Sequence, residues 1–418
     1  MQKNLTLTAG ALDRTFLILM ACLSPFVFVE PAPFDLLALL GILYFGIRKY
    51  PKSTPKTQLL ALAYICFVVF SVMLFSLNNN LSGYPAKYLA TQIYLTMLFC
   101  VVMKVMLARP HYAELFIKYM TIMAVMSSAL VIALKYTIDP DVIYRDVFKI
   151  RLKGFFEDPN VLGPFLILPL LALFYFKTFS IPFKIFGGIT MMALMALTYS
   201  RGAAAAYAFA VFTSLFLTSL NRHFVIRAFF LSGMFGAILI LISLGNLGLN
   251  SSIHTEGYLQ SRLRLQDYDQ ERFSHLKFAI QEGLTNPFGI GPGHFATLYG
   301  NNPHNLFLGK LTDVGYVPTL ITLAVFLLAL KWSLQHYLKF RDKVSLCLFS
   351  SLLAHFLLSS LIYTHHWRHL ILSISISLGF CLSMKARDQI PGRRPLGKPS
   401  YDRLRRNNNL IQTPNNHK

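Results

Sequence analysis

The stretch YLATQIYLTMLFCVVMKVMLARPHYAELFIKYMTIMAVMSSALVIAL, residues 88–134, decides the fold. It holds two apolar runs, 88–108 and 112–134, each near the roughly 20 residues that carry a helix across the hydrocarbon core of a bilayer. The chain turns between them at Arg109. Outward from this pair the pattern repeats, with runs near 12–29, 34–47, 58–77, 161–176, 182–199, 202–220, 224–245, 304–330, 344–362 and 369–384, which brings the total to about twelve. The run at 34–47 is short, so it is expected to be tilted, extended into its flanks or partly re-entrant. Composition agrees: 55% of the 418 residues are hydrophobic and 14% charged, against roughly 25% charged in a soluble domain. The sequence therefore predicts an all-α integral membrane protein, with one polytopic domain over residues 1–384. The first run is long and lacks a small-residue cleavage site, so it reads as a retained helix. Cys22, Cys66, Cys100, Cys347 and Cys381 all fall inside apolar runs without zinc-type Cys/His spacing, so neither a disulfide nor a metal is expected. No cofactor is expected either.

The formal net charge of +21 is distributed by topology. Alternate connections carry Arg48, Lys49, Lys52 and Lys56, then Arg109, then Lys177 and Lys184, then Arg222 and Arg227, then Lys339, Arg341 and Lys343. The positive-inside rule puts these in the cytoplasm, together with both termini. The other connections (Pro31 to Pro33, Asn78 to Asn80, 135–160, 246–303 and Tyr363 to His366) then face the periplasm of a bacterial inner membrane. Residues 385–418 are rich in Arg, Pro and Asn and poor in apolar side chains, so they are expected to form a disordered basic cytoplasmic tail. Such a cluster beside a span either touches anionic membrane lipids or serves only as a topology determinant. Because the cations follow topology, nucleic-acid binding is not expected.

Four outward-facing clusters carry groups capable of chemistry. Arg151-Leu152-Lys153-Gly154-Phe155-Phe156-Glu157-Asp158-Pro159-Asn160 opens a helix at Val161, either as a capping turn with solvated charges or as an anion site. In Thr198-Tyr199-Ser200-Arg201-Gly202, an arginine joins two apolar runs on the side where the charge rule gives no reason for a cation. It is either a snorkelling residue or a guanidinium fork for phosphate. Within the long loop, Asp269 to Glu282 reads as an amphipathic helix with Phe273, Leu276, Ala279 and Ile280 on one face and Gly283 as its stop. Arg272 lies in its first turn, with Arg262 and Arg264 upstream. The turn-rich Asn286-Pro287-Phe288-Gly289-Ile290-Gly291-Pro292-Gly293 follows. Finally, Asn301-Asn302-Pro303-His304-Asn305 opens a span, where His304 is either a cap residue or a base with a useful neutral fraction at neutral pH. His365, His366 and His369 form a second outward histidine group without an adjoining carboxylate, which argues against a metal site.

The order of these clusters resembles the O-antigen ligase and polysaccharide polymerase superfamily, over roughly residues 30 to 384. The block from 150 to 310 carries the specificity, and the Glu30-Pro31-Ala32-Pro33-Phe34-Asp35 segment is also similar. The spacing of Arg272, ten residues and Gly283 is similar to a periplasmic-loop pattern of the polymerases; from Arg151 to Gly163 the spacing is one residue longer. The resemblance implies a glycosyltransferase C-type membrane fold with a helical periplasmic loop over a cavity. It implies inverting, metal-independent transfer of a glycan from undecaprenyl diphosphate to lipid A-core or another glycan acceptor. Arg201 and Arg272 would hold the diphosphate and His304 would orient or deprotonate the acceptor hydroxyl. Arg151, Arg262, Arg264 and Asn305 are the further substrate-binding candidates. The alternatives are a polymerase of the same superfamily and, from another class, a lipid-linked glycan transporter, which would be expected to carry ionisable residues near the bilayer midplane.

Overall fold

The computed structural model describes residues 2–27, 31–48, 55–77, 83–134, 151–218, 267–358 and 368–388. These form helices α1 (Gln2–Leu23), α2 (Pro33–Ile47), α3 (Pro55–Leu77), α4 (Gly83–Ala108), α5 (His111–Leu134), α6 (Pro159–Tyr175), α7 (Ile181–Leu197) and α8 (Arg201–Thr218). After the long loop begins, α9 (Asp267–Thr285), α10 (His294–Tyr299), α11 (Leu306–Val314), α12 (Tyr316–Phe340), α13 (Lys343–Leu357) and α14 (Arg368–Asp388) follow. Among the described residues there is no strand, only an isolated bridge between Val27 and Phe156. The expected span at 224–245, the residues Arg262, Arg264, His365 and His366, and the tail beyond 388 lie outside the described residues.

Four of these helices are long and apolar enough to cross a membrane: Pro85–Ala108 within α4, then α5, α8 and α12. Four more, α2, α6, α7 and α13, are apolar but only 15 to 17 residues long. Their starts are set by local chemistry. Pro33 opens α2 and Asp35 Oδ2 accepts from the Ala32 amide at 2.9 Å, while Pro159 opens α6 behind the capping Asp158.

Two expected spans have different limits. The run at 12–29 stops being helical at Leu23, where the chain turns before Val27 donates to the Phe155 carbonyl at 2.7 Å. The run at 304–330 is two helices, broken at Gly315, whose φ of +76° an ordinary residue rarely adopts.

Helix α14 lies along α4, and Gly379 makes this possible: a Cβ there would stand 2.5 Å from the Met103 carbonyl oxygen. Around this pair, α5 packs on α1, α6 and α7; α13 packs on α6, α8, α12 and α14. Buried serines add interhelical bonds, as where Ser377 Oγ on α14 donates to the Ala329 carbonyl of α12 at 3.1 Å. One end of the bundle is tied by charge. Asp13 of α1 is fully buried and pairs with Arg48 at the end of α2 and with Arg109 between α4 and α5, the latter at 3.2 Å. Helices α9, α10 and α11 form a separate layer, with α11 seated on α3 and α12.

Candidate functional site

The expected site residues that are described fall into two groups. The first is built where α6 and α8 begin. Asp158 Oδ1 accepts from the Asn160 amide at 2.7 Å and so caps α6. Arg151 donates from Nε to the Thr198 carbonyl at 3.1 Å and from an Nη to Asn160 Oδ1 at 2.9 Å, while the Leu152 amide donates to Leu197 at 3.0 Å. These bonds fasten the segment before α6 to the turn before α8. In that turn Tyr199 is left-handed, with φ of +49°, Ser200 Oγ accepts from the Ala203 amide at 3.4 Å, and Arg201 is the exposed first residue of α8. Gly163 lets the two first turns meet, since a Cβ there would lie 2.3 Å from that of Ala203. Two helix N-termini therefore sit side by side: Asp158 occupies that of α6, and Arg201 stands at that of α8, an end that favours an anion.

The second group joins α9 to the start of α11. His304 is also left-handed, with φ of +51°, and stands immediately before a cap: Asn305 Oδ1 accepts from the amides of Phe307 and Leu308 at 3.0 and 2.9 Å. The Tyr199-Ser200 and His304-Asn305 pairs share one local geometry with Arg341-Asp342 at the start of α13, a left-handed residue followed by a side chain that receives a helix amide. For residues other than glycine this conformation costs about 1 kcal/mol or more. The His304 ring lies 6.3 Å from that of His275 on α9, which is buried and whose Nε2 is 3.0 Å from the Tyr299 carbonyl. Arg272 is one turn earlier on α9. Next to it, Glu271 Oε1 accepts from Asn301 at 3.2 Å. Tyr299 Oη donates to Glu282 Oε1 at 2.5 Å, and that bond holds the tyrosine hydroxyl above its ordinary pKa.

The packing of α9 differs from the expected face. Phe273 and Ile280 are exposed, and the buried line is His275, Ala279 and Gly283. Gly283 does not stop the helix, which continues to Thr285; it lies against Leu311 of α11, where a Cβ would come within 2.6 Å of Cδ2. At Gly283 the neighbouring helix is too close for any side chain. Arg272 and Gly283 are eleven positions apart, about three helical turns, so both lie on this packed face. Asn286 to Gly293 crosses the break between α11 and α12. The Ile290 and Gly291 amides donate to Thr312 and Asp313 carbonyls at 2.8 and 3.0 Å, and Gly293 N donates to the buried Asp313 Oδ1 at 3.1 Å.

Three contributors were not singled out from sequence. His275 lies one turn after Arg272, and that spacing was the available signal. Asp35 and Arg368 form a two-pronged pair, at 2.6 and 2.7 Å, that closes the beginnings of α2 and α14 beside a small cavity lined by Val27, Phe34, Phe156 and Phe165. They are 333 positions apart, and no spacing could have paired them. His369, expected among outward histidines, is buried, its ring 5.5 Å from that of His355. No family model matches this chain and no curated protein matches it, so its function is read from these residues and from the resemblance they carry.

Proposed function

We propose that this chain is an O-antigen ligase-like glycosyltransferase: it transfers a glycan from undecaprenyl diphosphate to an acceptor hydroxyl at the periplasmic face of the inner membrane. The acceptor oxygen forms a bond to the anomeric carbon as the bond from that carbon to the diphosphate oxygen breaks, with inversion. The hydroxyl proton passes to the ring of His304, and undecaprenyl diphosphate leaves with the bonding electrons. Arg201 and Arg272 oppose the charge that grows on the leaving group, which lets the reaction proceed without a metal. The observation that supports this reading is the placing of Arg201 at the first turn of α8 beside the start of α6, and of His304 and Asn305 beside His275, one turn from Arg272 on α9. A polymerase must hold two carrier-linked substrates, and its second anion site would centre on Arg151. That guanidinium donates to Thr198 and Asn160 with two of its five N–H groups, and the deletion experiment below separates ligase from polymerase.

Membranes lacking the protein are expected to accumulate polymerised, carrier-linked glycan on the periplasmic side without attaching it to its final acceptor. Single repeat units left on the carrier would make it a polymerase, and glycan held on the cytoplasmic side would make it a transporter. The purified protein should transfer glycan in the presence of a chelator; rescue by a divalent cation would refute the arginine mechanism.

A further inference from the structure

Helix α9 has two exposed sides of opposite character. Taking Arg272 as the origin and about 100° per residue, His275, Ala279 and Gly283 cluster within about 60° of it, and this is the side packed on α11. Phe278, Glu271 and Glu282 lie next to that side and touch the segment around α10: Phe278 stacks on Tyr299, Glu282 meets Tyr299 and Glu271 meets Asn301. On the opposite flank, centred near 100°, stand Phe273, Ile280 and Leu284, which are 59%, 50% and 71% exposed. Beyond them, near 190°, come Gln270, Ser274, Gln281 and Thr285, all exposed. Lys277 stands at the border between these apolar and polar sides.

The apolar side does not end with the helix. Phe288, 69% exposed, follows it, and the Pro287 carbonyl accepts from the Tyr316 amide at 3.0 Å, so Phe288 adjoins the first turn of α12. There Val317 and Leu320 are exposed, on a helix that is long and apolar enough to cross the bilayer. The exposed apolar residues of α9 are thus followed by further exposed apolar residues at Phe288 and at the start of α12.

We propose that α9 is an interfacial helix, lying in the outer leaflet with Phe273, Ile280, Leu284 and Phe288 among the acyl chains and its Gln270–Thr285 polar side toward water. A short apolar stripe adjoining a polar one is how a helix sits at the headgroup boundary, and Lys277 at the border reaches its ammonium to the headgroups. This placement fixes Arg272, on the packed side, at the depth where the phosphates of membrane lipids lie. It depends on the membrane reading and not on the transferase activity.

The test uses the full chain in vesicles of phosphatidylethanolamine and phosphatidylglycerol, with tryptophan introduced singly as Phe273→Trp, Leu284→Trp, Ser274→Trp or Gln281→Trp. The added fluorescence is read as the difference from the parent protein. Lipids brominated on their acyl chains should quench the first two at least about twofold more than the last two. Equal quenching at all four positions overturns the proposal. Blue-shifted but unquenched emission at 273 and 284 also overturns it, since it would mean that residues 219–266 cover this side. Phe273→Trp exchanges one exposed aromatic residue for another, so folding is preserved, and the readout requires no activity.

Discussion

At the scale of single residues, His304 combines a reactive ring with a backbone conformation that few side chains tolerate. His304→Ala would lose the ring and also strain the left-handed backbone, so His304→Asn is the cleaner variant, because asparagine visits that region readily. It should fold and bind the lipid-linked donor as the parent does, with turnover reduced about 10²–10⁴-fold, the range for a lost general base. Unchanged turnover would return His304 to the role of a residue that merely precedes a cap. Arg201→Lys and Arg272→Lys keep the charge but lose the planar fork, and each should lower transfer by about tenfold or more. Donor binding measured beside turnover separates the two roles: the arginine variants should weaken both, the histidine variant turnover alone.

At the scale of elements, glycines decide which helices can meet. Gly289 and Gly315 are both left-handed and face each other across the α11–α12 break; a Cβ on Gly315 would stand 2.2 Å from the Pro287 oxygen, and one on Gly289 2.7 Å from the Gly315 nitrogen. These neighbours are backbone atoms and cannot move aside. Gly300 is also left-handed but has open space around it. Gly300→Ala should therefore lower stability by only about 1 kcal/mol, from conformation alone. Gly315→Ala adds a backbone clash and should lower it by about 3 kcal/mol or more. Thermal unfolding in detergent checks the order; equal effects would mean that the Asn286–Gly293 segment is not held against α11.

At the scale of the whole molecule, the bonded groups that tie helix ends together fall into two sets. Asp13, Arg48 and Arg109 meet at one end, whereas Asp35 with Arg368, Val27 with Phe155, and Arg151 with Thr198 join segments assigned to the outward set. Reporters fused after Arg48, Lys177 and Arg341 should then register cytoplasm, and those at Asn79 and Gly257 periplasm. A periplasmic signal at Arg341 would break the proposed alternation of about twelve spans.

Much of this architecture was legible in the chain. Apolar length marked α4, α5 and α8, because crossing a bilayer needs a number of consecutive apolar residues that can be counted, whereas the run at 304–330 concealed the break at Gly315 between α11 and α12. Pro159 marked the entry to α6, since proline acts over a few neighbouring positions. The spacing from Arg272 to Gly283 was visible too, but its meaning was not: the close approach of Leu311 makes it a packing face. Periodicity alone put Phe273 and Ile280 on one face with Ala279, and the tertiary structure leaves them exposed while it buries His275, Ala279 and Gly283, the last against Leu311. In the same way only the fold brought Asp35 to Arg368, Arg151 to Thr198, and His275 to His304. Helix starts and membrane lengths are local quantities, written in adjacent residues, whereas contacts across the bundle depend on how closely two backbones approach, and that is set by every other helix packed around them.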